Sequence, residues 1–301
     1  MRQICCRNSP LLADAPLHVR TRICWHILSP VIRKLRVALR LAATLVATLT
    51  FYAWFEISLL LHGRNQARMF ELRTRAYQGW AKTVARIFGM RVRVIGAPPQ
   101  PPYFFVMNHL SYIDVLLAAM FLPGAKFIAR HDMASWPLLG HIARRVDTIF
   151  VDRTSLSAIS DVCRRVDEAF QSGYGVGMAP EATTGKGDRV LPFHAPLLEP
   201  AVRSGVPVSY AVIRFRTPNG EMPAYQIVNW WEDISFAAHA MRLLEVRSFE
   251  ATISFCVTPV TAAHRKQLAR DLHDVIAAEF VPMVTEDGVP LDHLTARGAA
   301  V

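Results

Sequence analysis

The longest hydrophobic pattern lies near the N-terminus, where residues 41–62 (LAATLVATLTFYAWFEISLLLH) contain one carboxylate, Glu56, and no Lys or Arg. As a helix, this segment is about 33 Å long at a rise of 1.5 Å per residue, close to the ~30 Å hydrocarbon core of a bilayer. It is longer than the apolar part of a signal peptide, and no small-residue cleavage site follows it. The pattern predicts a membrane helix, with a buried core helix as the alternative.

Both flanks of this helix are basic. Residues 20–40 hold six Lys or Arg and no acid, and residues 64–93 hold eight against the single Glu71. A spanning helix should carry its positive charge mainly on the cytoplasmic side. We therefore expect the helix to enter one leaflet and return, with residues 66–88 forming an amphipathic helix at the surface. A single span is the alternative.

A different pattern begins after the proline-rich break at 96–102 (GAPPQPP). Short apolar runs alternate with amphipathic stretches, which predicts an α/β domain with a mixed, largely parallel sheet flanked by helices. The predicted strands are 103–107, 126–129, 148–151, 176–179, 208–215, 225–230 and 250–257, and the predicted helices are 111–121, 137–145, 155–171, 197–203, 236–244 and 263–280. The chain thus divides into a disordered basic N-terminus (1–30), a membrane-anchoring helical segment (31–95) and an α/β domain (96–301).

Composition and charge narrow the class of partner. The chain is 52% hydrophobic and 19% charged with a net charge of +10, which favours contact with lipid and with anionic surfaces. No block of Lys and Arg is interleaved with aromatic residues, so a nucleic-acid partner is not expected. The cysteines show no metal-ligand spacing and no disulfide framework, which predicts a domain facing the reducing cytoplasm. They are Cys5, Cys6, Cys24, Cys163 and Cys256.

One candidate for chemistry is the segment 108–114 (NHLSYID), which lies between a predicted strand and a predicted helix. Ligands bind in this position in open α/β sheets. A neutral His109 can take the proton of an attacking hydroxyl, and Asp114 can hold the other ring nitrogen and stabilise the imidazolium. The alternative is a purely structural role, in which Ser111 and Asp114 form a capping box at a helix start and His109 is an ordinary loop residue.

Four short sequence motifs, taken in order along the chain, resemble those of a known protein family. The first motif is residues 108–114, the second is 149–153 (IFVDR), the third is 180–185 (PEATTG) and the fourth is 205–208 (GVPV). In this order and spacing they resemble the 1-acyl-sn-glycerol-3-phosphate acyltransferase family. The resemblance implies an acyl-CoA or acyl-carrier-protein donor, no metal or other cofactor, a general base at His109 and an orienting carboxylate at Asp114. It also implies that further residues line the substrate site, namely Asn108, Ser111, Arg153, Glu181, Thr183 and Thr184, with Arg153 on the acceptor's head group.

The third motif departs from the family pattern at two positions. Ala182 replaces a glycine, so the loop loses freedom to adopt a positive φ. Thr184 stands where many members have a phosphate-binding arginine, and a hydroxyl cannot make a bidentate contact with phosphate. Lys186 and Arg189 follow closely, and we expect them either to substitute for the arginine or to indicate an acceptor without a simple phosphate.

The expected activity is acyl transfer to the free hydroxyl of a 1-acyl lysolipid, with lysophosphatidate as the first candidate acceptor and phosphatidate as its product. Lyso-ornithine lipid or another lysolipid is the second candidate. A non-catalytic lipid-binding membrane protein is the alternative from another class. We expect membrane lipids as partners and the inner membrane as the location, with the α/β domain facing the cytoplasm.

Overall fold

The computed structural model describes residues 17–62, 65–136, 139–151, 156–256 and 258–291. These residues form one seven-stranded sheet in the order β1-β7-β6-β2-β5-β3-β4. Its strands are β1 Met90–Ile95, β2 Phe104–Met107, β3 Ala125–Arg130, β4 Ile149–Val151, β5 Gly175–Met178, β6 Val208–Arg216 and β7 Phe249–Phe255. The pair β6–β7 is antiparallel and all other pairs are parallel, which confirms the predicted α/β fold with a mixed, largely parallel sheet.

Helices connect and cover these strands. They are α1 Leu17–His62, α2 Gln66–Ile87, α3 Tyr112–Ala119, α4 Leu139–Arg145, α5 Leu156–Gln171, α6 Glu199–Ser204, α7 Ala224–Ile227, α8 Phe236–Glu245 and α9 Arg265–Glu279, with 3₁₀ helices at His131–Ser135 and Ala195–Leu198. The central strands β2 and β5 are buried along their whole length. Covered on both faces, such strands are continuous apolar runs, as the sequence pattern indicated.

Strand β1 was not predicted, and it moves the start of the α/β domain. It pairs with β7 from Met90 to Ile95, so the sheet begins before the expected boundary at residue 96. Arg91 and Arg93 on this edge strand are exposed. Charged residues at alternate positions are usual on an edge strand. Arg91 and Arg93 therefore belong to the sheet and not to the basic flank of the membrane helix.

Two further predictions are wrong. Residues 225–230 were expected to form a strand, but α7 and a loop occupy this segment, because a short apolar run does not distinguish a strand from a helical turn. The disordered N-terminus was expected to reach residue 30, but α1 begins at Leu17. Residues 1–16, the rest of that prediction, lie outside the described residues.

The helices α1 and α2 pack against one another. Trp80 of α2 donates its indole N–H to the Thr48 hydroxyl of α1 at 3.1 Å, and Phe55, Met69 and Ala76 form a small buried cluster. The N-cap Asn65 accepts a hydrogen bond from the Arg68 N–H at 3.0 Å, which fixes the start of α2. The predicted second helix at 66–88 is confirmed.

The α/β domain holds α1 at two places along the helix. Arg40 donates to the carbonyls of Leu244 at 3.1 Å and Val246 at 2.5 Å, at the C-terminus of α8. Further along α1, Glu56 accepts from Arg145 of α4, with 2.6 Å between Oε1 and Nε. These attachments lie about 24 Å apart along the helix. The one carboxylate of the apolar run therefore faces the domain.

The opposite face of α1 is apolar and exposed. Large hydrophobic side chains repeat there at helical spacing, including Val31, Leu35, Leu39, Val46, Leu49, Ile57 and Leu60. In the described part of the chain, residues 31–62 are long and apolar enough to cross a membrane, by length and composition. An exposed apolar stripe of this extent is typical of a surface that contacts a membrane or another protein.

Candidate active site

The first motif connects the carboxyl end of β2 to α3. Asp114 lies in the first turn of α3 and is fully buried. Its Oδ2 accepts hydrogen bonds from the main-chain N–H groups of Leu110 at 2.6 Å and Ser111 at 2.8 Å. The same oxygen lies 2.9 Å from His109 Nδ1. The two readings of this motif are therefore compatible, because one carboxylate both holds the helix start and orients the histidine.

This contact defines the chemistry available to His109. A carboxylate only accepts, so Nδ1 of a neutral ring carries the proton and Nε2 keeps its lone pair. The His109 side chain is 22% exposed and lines a large cavity. This geometry would allow His109 to act as a general base, with its imidazolium form stabilised by the buried carboxylate.

Asn108 and Ser111 have structural positions, in contrast to their predicted place in the substrate site. Asn108 is 1% exposed, and its amide pairs with the main chain of Ile213 on β6, donating at 3.0 Å and accepting at 2.7 Å. Ser111 is fully buried at the N-cap of α3. Neither side chain is among the described residues that line the cavity, and the Asn108 amide attaches the loop to β6.

The third motif holds the main chain of His109 from both sides. Glu181 Oε1 accepts from the His109 N–H at 3.1 Å, and the Gly185 N–H donates to the His109 carbonyl at 2.8 Å. Glu181 is 2% exposed. Burial raises its pKa well above the usual value, and the negative charge of Asp114 adds to this, although N–H groups of His109 and Leu191 oppose it. Glu181 therefore supports His109, where sequence reasoning had expected it to line the acceptor site.

The remaining residues of the third motif border the cavity. Ala182 has a φ of 63°, so the alanine adopts the left-handed conformation that its side chain was expected to disfavour. Thr183 and Thr184 both line the cavity. The Thr184 hydroxyl donates to the carbonyl of Trp230, so it is engaged within the protein.

The two cations after the third motif point to another part of the molecule. Lys186 Nζ donates to the Glu286 carbonyl at 3.2 Å and lies over the Trp231 ring at 5.5 Å from its centroid. Arg189 Nη1 bonds Glu286 Oε1 at 3.0 Å. Neither cation is among the described residues that line the cavity. The structure thus does not place them as substitutes for the missing arginine, and Arg153 of the second motif lies outside the described residues.

A cavity of about 920 Å³ connects this site with the N-terminal helices. Its lining is mainly apolar and aromatic, as expected of a site for an apolar ligand. The helices contribute Leu41, Phe51, Phe55, Tyr77 and Trp80, and the domain contributes Tyr112, Leu116, Trp136, Met178, Trp230 and Phe236. His109 is thus a polar group at the wall of an apolar space.

The loop 228–235 between α7 and α8, the Trp230 loop, is a part of the site that the sequence did not predict. The Trp230 N–H donates to the Leu110 carbonyl at 2.8 Å, and the Trp230 carbonyl accepts from Thr184. The Asn229 amide donates to the Lys186 carbonyl at 2.8 Å. This loop therefore joins the first and third motifs. Its signal in the sequence is the adjacent pair Trp230 and Trp231. Among the described residues, no group of His, Cys, Asp or Glu is arranged to hold a metal ion.

An α/β sheet with a His/Asp pair at a strand end, beside an apolar cavity, is suited to an enzyme that uses a histidine base on a substrate with an apolar chain. Comparison with known proteins identifies the type of enzyme that this chain resembles. Residues 91–214 match the family model described as Acyltransferase. The chain is 28% identical over 177 residues to a 1-acyl-sn-glycerol-3-phosphate acyltransferase of Neisseria gonorrhoeae, covering 58% of this chain and 68% of that protein.

One further relative and one solved structure match a larger share of this chain. A lyso-ornithine lipid O-acyltransferase of Pseudomonas aeruginosa is 27% identical over 241 residues, covering 79% of this chain and 89% of that protein. The crystal structure of a 1-acyl-sn-glycerophosphate acyltransferase from Thermotoga maritima has the same fold, with a TM-score of 0.56 and 18% identity over 79% of this chain and 95% of the other. The chain is thus similar to lysophospholipid acyltransferases, and the match to the acyltransferase family model lies within its sheet domain.

Proposed function

We propose that the protein transfers a fatty acyl group from acyl-CoA or acyl-carrier protein to the free hydroxyl of a 1-acyl lysolipid, with His109 as general base. The observation that carries this proposal is the 2.9 Å contact between His109 Nδ1 and the buried Asp114, at the wall of an apolar cavity. The match to the acyltransferase family supports the reaction class.

The proposed reaction uses the ring nitrogen of His109 that does not contact Asp114. Nε2 removes the proton of the acceptor hydroxyl as its oxygen attacks the thioester carbonyl. The carbon–sulfur bond then breaks, and the imidazolium returns the proton to the departing thiolate, which leaves as a thiol. Asp114 stabilises the imidazolium between these steps. The acceptor is itself the nucleophile, so no acyl-enzyme is formed.

The cavity is the proposed site of the acyl chain. Its walls come from both the N-terminal helices and the α/β domain, so a chain lying there contacts both parts. Burial of each methylene contributes about 0.8 kcal/mol, so a long-chain substrate gains more from this space than a short one. The proposal predicts a preference for long acyl chains, measured as kcat/KM across a series of donors.

We further propose that α1 lies along the surface of the inner membrane rather than crossing it. The α/β domain contacts α1 at Arg40 and again at Glu56, while the apolar stripe faces away. A helix held against one domain over this distance cannot also pass to the other side of a bilayer unless the domain enters the lipid. Both basic flanks then lie on the cytoplasmic side, in accord with the charge distribution.

Thiol labelling tests this orientation. Lys34→Cys and Ala67→Cys, each exposed and on opposite sides of the apolar run, would be introduced into a chain without its native cysteines. A membrane-impermeant reagent should label both positions in inverted membrane vesicles and neither in intact spheroplasts. Labelling of one position from each side would establish a spanning helix.

Two acceptors stay in competition. Lysophosphatidate was expected first, because the motifs resemble those of phosphatidate-forming enzymes. Lyso-ornithine lipid is favoured by a structural observation: Thr184 is bonded to Trp230, and Lys186 and Arg189 bind Glu286 away from the cavity. The relative from Pseudomonas aeruginosa, a lyso-ornithine lipid O-acyltransferase, also matches more of this chain than the Neisseria relative does.

An acceptor panel decides between them. Lysophosphatidate, lyso-ornithine lipid and other lysolipids would be supplied with labelled acyl-CoA or acyl-carrier protein to the full-length protein in vesicles, with His109→Ala as the control. We expect turnover with at least one pair. Thr184→Arg should raise activity with lysophosphatidate relative to lyso-ornithine lipid, because a guanidinium binds phosphate in bidentate fashion. Absence of turnover in folded protein with every pair would favour a non-catalytic lipid-binding protein.

A further inference from the structure

A second histidine lies behind the active site and has no place in the reaction proposed above. His239 is on α8 and is 2% exposed. Its Nδ1 lies 3.2 Å from the Tyr112 hydroxyl, and its Nε2 lies 3.1 Å from the Asn229 carbonyl. Both ring nitrogens are therefore engaged, one by α3 and the other by the Trp230 loop.

The partners fix the tautomer of this ring. A carbonyl can only accept, so Nε2 carries the proton and donates to Asn229. In the neutral ring Nδ1 then accepts, and the Tyr112 hydroxyl is its donor. Burial lowers the pKa of His239 below its ordinary value and raises the pKa of Tyr112, so both groups stay neutral near pH 7. Other residues near this histidine are Arg242 and Glu232, which form an ion pair with each other.

Tyr112 and the Trp230 loop both line the cavity that His109 faces. Tyr112 is the first residue of α3 and lines the cavity together with His109 and Trp230. Its ring contacts Phe236, Trp230 and His239 edge-on, with centroid distances of 4.9, 5.9 and 5.5 Å. The Trp230 N–H bonds the carbonyl of Leu110, the residue after the catalytic histidine. His239 thus connects two segments that meet at the first motif.

We infer that His239 is a positioning residue, which holds Tyr112 and the main chain of the Trp230 loop in the geometry that His109 needs for acyl transfer. The inference rests on the proposed function. A buried histidine that merely fills the core would affect stability alone. A positioning residue also affects kcat, because a displacement of about 1 Å near reacting groups costs up to about 10²-fold in rate.

Four variants separate these roles in the full-length protein. His239→Phe fills the space but removes both hydrogen bonds, and Tyr112→Phe removes only the bond to Nδ1. His239→Gln retains an amide N–H that can reach the Asn229 carbonyl, and it should rescue part of the activity. Met241→Ala changes an exposed side chain on the same helix and is the matched control.

We expect His239→Phe to lower kcat by about 10- to 100-fold with less than a twofold change in donor KM. His239→Gln should recover part of this loss, and Met241→Ala should leave kcat unchanged. Combining His239→Phe with Tyr112→Phe should give a smaller loss than the product of the single losses, because the residues share one interaction. Unchanged kcat in His239→Phe, or fully multiplicative losses in the double variant, would overturn the inference.

A measurement that does not depend on activity separates this inference from the proposed function. Nitrogen-15 NMR of histidine-labelled protein in detergent should show His239 with its proton on Nε2, and Tyr112→Phe should shift the Nδ1 resonance. A proton on Nδ1, or no shift in the variant, would contradict the assigned contact. Absence of turnover in the wild-type protein would instead reject the proposed function, and the NMR result would still decide the contact.

Discussion

The first and third motifs follow neighbouring strands, β2 and β5, yet their polar side chains have different tasks. In the first motif, His109 faces the cavity and Asp114 is buried behind it. In the third motif, Glu181 is turned inward to the His109 main chain, and the hydroxyl of Thr184 is bonded to the Trp230 loop. The first motif presents a side chain to the cavity, whereas the third motif largely holds the first motif in place.

This difference shows what a sequence motif does and does not indicate. A motif marks residues that the site requires, but it does not distinguish those that contact substrate from those that support them. Asn108 and Glu181 look like ligands in the sequence, and both are occupied by main-chain partners in the structure. Buried polar groups in this position are satisfied by the protein itself.

The largest effect should come from the group that faces the cavity. His109→Ala should lower acyl transfer by at least about 10²-fold, because it removes the general base. Initial rates in vesicles with saturating donor and acceptor would measure this loss. His131→Ala, which removes an exposed histidine from a 3₁₀ helix, should retain full activity. Activity close to that of the wild type in His109→Ala would exclude this residue from the mechanism.

Asp114→Asn should have the next largest effect, about 10- to 100-fold on kcat. The neutral amide no longer stabilises an imidazolium, although its oxygen can take the place of Oδ2 and keep the hydrogen bonds to the loop. Rates and thermal unfolding should be measured together, since Asp114 also accepts from Leu110 and Ser111. A loss of stability with unchanged kcat would assign Asp114 to the helix cap alone.

Glu181→Gln should change how stability depends on pH. The pKa of Glu181 is raised in the folded protein above the ordinary value of 4.5, so the folded state binds this proton more tightly. Its contribution is fully present below pH 4.5 and is lost as the pH rises through the raised pKa. Relative to the wild type, the Gln variant should therefore become more stable as the pH increases from 4.5. If the unfolding free energies of the wild type and the variant instead change with pH in the same way across that range, the pKa of Glu181 is not raised.

The smallest effects are expected for the two cations after the third motif. Lys186→Ala and Arg189→Ala should change the acceptor KM by less than about twofold, because both side chains bind Glu286 outside the cavity. The loss of the exposed Arg189 ion pair, or of the Lys186 hydrogen bond to a carbonyl, should cost about 1 kcal/mol or less in unfolding free energy. A KM increase of tenfold or more for a phosphate-bearing acceptor would place these cations in the acceptor site after all.

Much of the fold could be predicted because the central strands are continuous apolar runs and the helices are strongly amphipathic. The helix predicted at 197–203 illustrates this, since α6 ends at Ser204 and is followed by Gly205 with a φ of 66°. Strand β1 could not be predicted in the same way. Its partner β7 lies far along the chain, and such pairing leaves no local pattern beyond the alternation of Val92 with arginines.

The site was predictable to the extent that it is local in sequence. His109 and Asp114 lie five residues apart, and the geometry of a strand followed by a helix brings them together. Thr184, Trp230 and His239 are brought near the first motif only by tertiary structure, so their hydrogen bonds had no sequence signal. The orientation of the Lys186 side chain likewise depends on its bond to the Glu286 carbonyl, and Glu286 lies a hundred positions later in the chain.

The most direct test of the account is a measurement of kcat and acceptor KM for Glu181→Ala and Glu181→Gln beside the wild-type protein. If the third motif supports His109, Glu181→Ala should lower kcat with little change in acceptor KM. Glu181→Gln should keep most of the activity, because its amide oxygen can still accept from the His109 N–H. An increase in acceptor KM with unchanged kcat in both variants would show instead that Glu181 binds the acceptor, and would contradict the division of roles between the two motifs.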